Sequence, residues 1–402
     1  MEELKTYTLE ELSKGKGSYG IAASAVPFNP NKHTYLRITD INDDGTLNKK
    51  GLMSVDEDNA ADYLLEENDI VFARTGNSTG RTYFYDGSDG ELVYAGFLIK
   101  FSLDENKLNP RILKYYTHSK LYYDWVHSFD TGGTRGNINA KIYGAMPIEL
   151  PSREMQDRIV DIMKSLDDKI ALNQRINDNL EQQAQALYRS WFIDFEPFKG
   201  GKFIDSELGE IPEGWRVGKL IEIADIIMGQ SPQGSSFNEI GDGIIFYQGR
   251  TEFGERFPSI RLYTTEPSRF AEPLSVLLSV RAPVGDINIA SRKCCIGRGL
   301  ASIKSKKAHY SFLFYTMQSL KPLLDKFNGE GTVFGSINRS SLENMTIVIP
   351  PNDIIERFEK ITQKIDMKIL NFFNESNNLK DQRDILLPKL MSGELKINDL
   401  HS

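Results

Sequence analysis

Two stretches of the chain carry apolar residues at a heptad spacing between polar flanks. After Pro151, Ile159, Leu166, Asn173, Leu180 and Leu187 follow one another every seven residues, with Ile162 and Ile176 between them; after Pro350, Phe358, Ile365, Phe372, Leu379 and Leu386 stand in the same phase. The pattern predicts two long helices, each with a coiled-coil seam. Each follows an apolar strand, MPIEL or MTIVI, which a proline ends, and Ser152 and Asn352 are suited to cap the helix that comes next. A stripe of this kind can also pack a helix onto its own domain. The narrowness of the seams and their heavily polar flanks favour packing of the two arms on each other.

Elsewhere the apolar runs are short and bounded by turn residues. TYLRITDIN, DIVFARTG, RTYFYDG and LVYAGFLIKFSL read as strands in the first half, and IIFYQG, LSVLLSVRAPVG, DINIA and GLASIKS in the second. Helical spacing returns at PRILKYYTHSKLYYDWVHS and HYSFLFYTMQSLKPLLDKF. Each half is therefore expected to hold an α+β domain with a strongly curved sheet.

The chain is written twice. At an offset of 199 residues, GNINAKIYGAMPIELPSREMQDRI from Gly136 falls on GSINRSSLENMTIVIPPNDIIERF from Gly335, and the register continues along the arms: Asp167, Lys169, Ile170, Leu180 and Leu187 recur as Asp366, Lys368, Ile369, Leu379 and Leu386. Upstream, ENDIVFARTGNSTG lies opposite PLSVLLSVRAPVG, with Arg74 and Arg281 expected as counterparts. The expected division is a first domain at 1–150, a helical region at 151–196, a linker and second domain at 197–350, and a second helical region at 351–402. Antiparallel pairing of the arms would put the domains at opposite ends of a rod roughly 50 to 60 Å long, one or two turns of duplex DNA.

Composition narrows the picture. The 402 residues are 40% hydrophobic and 26% charged, enough for two ordinary domains. No long apolar run is present and the first residues are polar and acidic, so a cytoplasmic protein is expected. Adjacent Cys294 and Cys295 supply no disulfide framework and no metal-ligand spacing surrounds them; both are expected as ordinary strand residues. A net charge of −8 argues against a protein that simply coats DNA. The charge is uneven, however, with Arg292, Lys293, Arg298, Lys304, Lys306 and Lys307 crowded together and acidic residues gathered from Asp56 to Glu67. Such a distribution can bind DNA locally.

Candidate contacts lie in glycine-flanked turns. The loops FDTGGTRGNIN and GEGTVFGSIN place Gly133, Thr134 and Asn139 opposite Gly331, Thr332 and Asn338. Glycine permits close backbone approach, and small polar side chains offer donors to phosphate or base edges. A structural turn between helix and strand fits the same composition. Arg74, Arg135 and Arg281 are candidates because arginine can bond guanine bidentately or clamp a phosphate, although a solvated surface role suits each equally well.

At ALYRSWFIDFEPF, from Ala186, followed by DSELGEIPEGWRVGKL, from Asp205, and again at ILLPKLMSGEL, from Ile385, the chain resembles the specificity subunits of type I restriction-modification systems along essentially its whole length. The resemblance implies two DNA target-recognition domains, related by pseudo-symmetry and separated by two long helices in an antiparallel coiled coil. Each domain would read one half of a bipartite, asymmetric site in double-stranded DNA. It further implies two methyltransferase (modification) subunits docking on the helical regions and domain edges, together with restriction/translocase subunits. No cofactor is expected in this chain, with S-adenosylmethionine, ATP and magnesium on the partners.

An enzyme reading lacks its parts, because no Asn or Asp precedes a Pro-Pro-aromatic run of the kind adenine methyltransferases use, and there is no GxxxxGK[ST] phosphate loop. Two alternatives stay open at this point: a specificity subunit of a related system with a fused nuclease-methyltransferase partner, and a coiled-coil protein-interaction scaffold.

Overall fold

The helix expected after Pro151 runs unbroken from Arg153 to Phe192, and that expected after Pro350 from Asn352 to Met391, 40 residues each, in a computed structural model that describes residues 4–130, 136–329, 335–392, 394 and 395. At about 1.5 Å per residue each helix is about 60 Å long. Ser152 stands just before the first helix, with its Oγ 3.4 Å from the Met155 N–H. Asn352 differs from expectation, since it already lies inside the second helix and its side-chain oxygen accepts from Lys307 at 3.2 Å. No helix among the described residues is long and apolar enough to cross a membrane.

The chain divides into two units, residues 1–172 with 375–402, and residues 173–374. In the first, Ile159, Val160 and Met163 share a core with Leu387, Leu390 and Met391, and with Leu108, Ile112 and Ile148 of the domain. Arg383 donates to Asp167 at 3.1 Å and Lys169 pairs with Glu375 at 3.5 Å, so the two helix segments run antiparallel. In the second unit, Ala184, Tyr188 and Phe192 share a core with Phe358 and Ile369. There Asn177 donates to the Ile369 carbonyl at 3.3 Å while Tyr188 and Phe358 lie 6.0 Å apart by ring centroid, again antiparallel.

Of the predicted seam, Ile159, Asn173 and Phe358 are fully buried, whereas Leu166, Leu180, Leu187, Ile365, Phe372, Leu379 and Leu386 are half-buried. Fully buried Met163, Ala184 and Thr362 lie beside them. The apolar stripe is wider than a coiled-coil seam because each segment packs on its partner helix and on its domain together.

Each domain starts with a strand that closes against the strand before its arm. Lys5–Thr8 pairs antiparallel with Pro147–Leu150, and Arg216–Lys219 with Thr346–Ile349. The first domain has a sheet in the order Ser18–Tyr19, Leu98–Ser102, Asp69–Ala73, Thr82–Phe84; the second has Ala224–Met228, Leu300–Ser305, Val276–Ser279, Ile287–Ile289. A further sheet in each contains a parallel pair, Thr34–Leu36 with Leu92–Tyr94 and Ile244–Tyr247 with Cys294–Ile296.

In place of one strongly curved sheet, each domain thus has two larger sheets beside its two-stranded pairing. The run LVYAGFLIKFSL is split between them, because the chain turns at Ala95–Phe97 and leaves one sheet for the other. Cys294 and Cys295 are free and fully buried in a strand.

Candidate nucleic-acid interface

The turn where each chain segment changes sheets gathers the ends of several strands. In the second domain this turn is Ile296–Gly299. Gln230 N–H donates to the Ile296 carbonyl at 3.0 Å, Ile296 to Arg269 at 2.9 Å, Gly297 to Tyr247 at 2.8 Å and Val280 to Gly299 at 2.9 Å. A Cβ on Gly229, next to Gln230, would lie 2.1 Å from the Gly297 carbonyl oxygen, so only glycine permits this approach.

The first domain repeats the arrangement at Tyr94–Phe97. Ile21 donates to Tyr94 at 3.0 Å, Ala95 to Leu36 at 3.0 Å and Arg74 to Phe97 at 3.1 Å. The backbone frame is common to both domains and the side chains it presents differ.

This frame corrects one expected correspondence. Ala73 pairs with Leu98 and Ser279 with Leu300, and each of these partners follows its turn at the same point. Arg74 therefore matches Val280, and Arg281 stands one residue further on. In extended chain a step of one residue reverses the face on which a side chain lies. Arg74 is half-buried with its guanidinium 5.1 Å from the centre of the Tyr19 ring, and its Nε has no hydrogen-bond partner among the described residues. Arg281 is exposed and bridges to Ser336 through its backbone.

The two GxIN segments dock on these strand ends. Ile138 N–H donates to the Arg74 carbonyl at 3.0 Å and Ile337 N–H to that of Val280 at 3.1 Å. Both isoleucines are buried. A Cβ on Gly136 would lie 2.3 Å from the Phe129 carbonyl oxygen and one on Gly335 2.0 Å from that of Phe327, which requires glycine at both positions. Asn139 and Asn338 cap the short helices Ala140–Gly144 and Arg339–Glu343, accepting from Ile142 at 3.0 Å and Ser341 at 2.9 Å. Both are exposed, yet each side-chain oxygen is committed to its cap. Gly133, Thr134, Arg135, Gly331 and Thr332 lie outside the described residues.

The basic crowd at 292–307 is exposed along the strands Cys294–Ile296 and Leu300–Ser305. Part of it is neutralised: Lys293 pairs with Glu272 at 3.5 Å and Lys306 with Asp225 at 3.9 Å. Arg298 is not in any ion pair among the described residues, and Arg269, which the sequence did not single out, shares that condition. The signal for Arg269 is visible only after folding, because it lies 29 residues from Arg298 in sequence and reaches the turn through its bond with Ile296.

A family model described as the type I restriction modification DNA specificity domain matches residues 1–182 and 212–388. The chain is 32% identical to the putative type I restriction enzyme MjaX specificity subunit of Methanocaldococcus jannaschii, across 85% of this chain and 82% of that protein. It is 24% identical to the type I restriction enzyme HindI specificity subunit of Haemophilus influenzae, across 98% of this chain and all of that protein (100%). The fold is like that of the type I restriction-modification system S subunit from M. genitalium, with a TM-score of 0.56 at 14% identity, covering 97% of this chain and 96% of the other. With two matched segments that together span most of its length, one in each repeat, the chain belongs to the type I restriction-modification DNA specificity family and is a specificity subunit of such a system.

Proposed function

We propose that each domain of this specificity subunit reads one half of a bipartite, asymmetric sequence in double-stranded DNA, residues 1–150 one half and residues 197–350 the other. The subunit directs methylation and restriction carried out by its partners. The finer assignments are that two modification subunits methylate adenine and dock on the helical regions and domain edges, that S-adenosylmethionine, ATP and magnesium are bound by the partners, and that the assembly works in the cytoplasm. The helix pair fixes the number of unread base pairs between the halves.

The observation that carries this reading is the turn built twice from the same backbone bonds, at Tyr94–Phe97 and at Ile296–Gly299, with different side chains on each. A shared frame holds the reader in register while its side chains vary, as two independent readings require. Arg74 and Arg281 contact DNA beside these turns, together with the loops containing Gly133, Thr134, Arg135, Gly331 and Thr332. Asn139 and Asn338 hold those loops through their caps.

Domain exchange tests the reading. Replacing residues 1–150 with the first domain of another family member, in the complex with its modification partners, should change one half of the methylated sequence and leave the other intact. A simultaneous change of both halves would show that the domains do not read separately.

A further inference from the structure

We infer that the second domain reads purine bases of its half-site with a set of amide and guanidinium side chains collected on the Ile296–Gly299 turn: Gln230, Gln248, Arg269, Arg281 and Arg298. The inference rests on the reading of residues 197–350 as one half-site reader and names the chemistry of that reader.

These five residues come from five separate segments. Gln230 and Arg269 are bonded through their backbones to Ile296, at 3.0 and 2.9 Å. Gln248 follows Tyr247, which accepts from Gly297 at 2.8 Å, and Arg281 follows Val280, which donates to Gly299 at 2.9 Å. Arg298 lies within the turn, its N–H 3.3 Å from Ser231 Oγ. All five side chains are exposed.

Among the described residues no carboxylate pairs with their charge. Elsewhere in this domain Arg250 pairs with Asp286 at 2.6 Å, Arg261 with Glu252 at 2.8 Å and buried Arg256 with two carboxylates. Arg269, Arg281 and Arg298 are in no ion pair among the described residues, in a chain whose net charge is −8. Like charges brought together on one turn repel, and an anionic partner offsets that repulsion.

Phosphate alone could do so, but two exposed glutamines beside the arginines match base edges. Arginine donates bidentately to O6 and N7 of guanine, and glutamine pairs with N6 and N7 of adenine. The turn is also held rigidly by the close approach at Gly229, which fixes where these side chains start.

The first domain supplies a contrast on the same frame. There Ile21 takes the place of Gln230, Thr75 that of Arg281 and Gly96 that of Arg298, while Arg37, in the place of Gln248, is tied to Asp40 at 2.6 Å. Exposed here instead are Phe97, within the turn, and Tyr19, on the strand Ser18–Tyr19 that pairs beside it, at 58% and 42%. The purine-reading set is therefore specific to the second half-site.

The test uses the complete subunit in complex with its modification partners and reads the methylated sites of a host genome by sequencing. Arg298→Ala and Gln230→Ala should each relax one position of the second half-site by about tenfold or more while leaving the first half-site unchanged. Arg298→Lys, which keeps the charge and loses the bidentate fork, should relax that position as Arg298→Ala does. Full fidelity in Arg298→Lys would mark a phosphate contact and overturn the inference. So would unchanged fidelity in both alanine variants, or loss of partner assembly in place of loss of discrimination. Domain exchange stays independent of these results, since a second half that still switches with residues 197–350 preserves the half-site reading even where this set of contacts fails.

Discussion

Arg256 is bonded to Asp366, whose counterpart 199 residues earlier, Asp167, is bonded instead to Arg383 at 3.1 Å. Each repeat thus places an arginine on the same helical aspartate, from a different source. In the first unit the arginine comes from the paired helix. In the second, the position matching Arg383 is Ala184, fully buried, and Arg256 enters from the β-structured domain, joining Asp366 on one helix and Glu181 on the other. Its guanidinium also bonds the Tyr315 hydroxyl at 3.0 Å and lies 4.6 Å from the Phe314 ring centre. Burial opposes the charged form of Arg256, but Asp366, Tyr315 and Glu181 more than offset this and hold its pKa above the ordinary arginine value.

Removing Arg256 therefore leaves two carboxylates in a largely buried site without a cation. Arg256→Ala should cost about 3 to 5 kcal/mol, the range for breaking a buried pair by deleting one partner, measured as the shift in the chain's denaturant unfolding midpoint. A triple change that also replaces Glu181 and Asp366 with leucine should recover most of that loss, because no buried charge then remains. A single-variant loss below about 1 kcal/mol would place this cluster with weak surface pairs.

Glu359 gives the same region a pH dependence. It is buried, accepts from the Phe312 N–H at 2.7 Å, and burial, reinforced by the nearby Asp366 charge, raises its pKa from 4.5 to about 7. The folded chain therefore holds a proton that the unfolded chain has released, and stability falls as pH rises through the window from 4.5 to about 7. Glu359→Gln should leave stability nearly unchanged at about pH 4 and raise it at pH 8, by on the order of 1 to 3 kcal/mol. Equal effects of the variant at both pH values would show that Glu359 is not protonated in the fold.

The caps at Asn139 and Asn338 separate a structural role from direct contact with DNA. Alanine at either position should cost about 0.5 to 2 kcal/mol, and aspartate should restore most of it, since its carboxylate accepts the same backbone N–H. On the capping role, Asn139→Asp and Asn338→Asp keep both melting temperature and methylation fidelity. Reduced fidelity at an unchanged melting temperature would return these asparagines to the DNA surface.

The duplication and the two arms were legible from sequence because both are periodic: a 199-residue offset and a heptad each survive inspection of one chain. The proposed reading surface is legible only in part. Arg74 and Arg281 look like counterparts when strand ends are aligned by eye, yet hydrogen-bond register sets them one residue apart and on different faces. Arg269, Gln230 and Gln248 carry no local signature, since nothing near each of them in sequence marks the Ile296–Gly299 turn that gathers them. In sequence Asn139 and Asn338 offer donors in a loop, and only the short helices that follow, five residues each, show that they also act as caps. In Arg256 the sequence offers an ordinary basic residue, and only burial shows it as the charge that joins Glu181 to Asp366.

The arms provide the last test, because a heptad can be added to them without disturbing their packing phase. Inserting seven residues beside Asn173 and seven beside Phe372 keeps every apolar position on its stripe and lengthens each helix by roughly 10 Å. On the proposed role of the helix pair in setting the gap between half-sites, the unread spacer of the methylated sequence should grow by up to about three base pairs, at about 3.4 Å per base pair, and by less where the helices lie oblique to the duplex. Both half-sequences should stay as they were, since neither recognition domain is altered. Inserting three residues in each arm changes length by less but turns the apolar stripe by about 60° away from its phase, so methylation should fall with no new spacer selected. Sequencing the methylated genome of cells carrying the seven-residue variant decides the matter: an active complex that keeps its original spacer would mean that the helices hold the subunit together without setting the distance it reads.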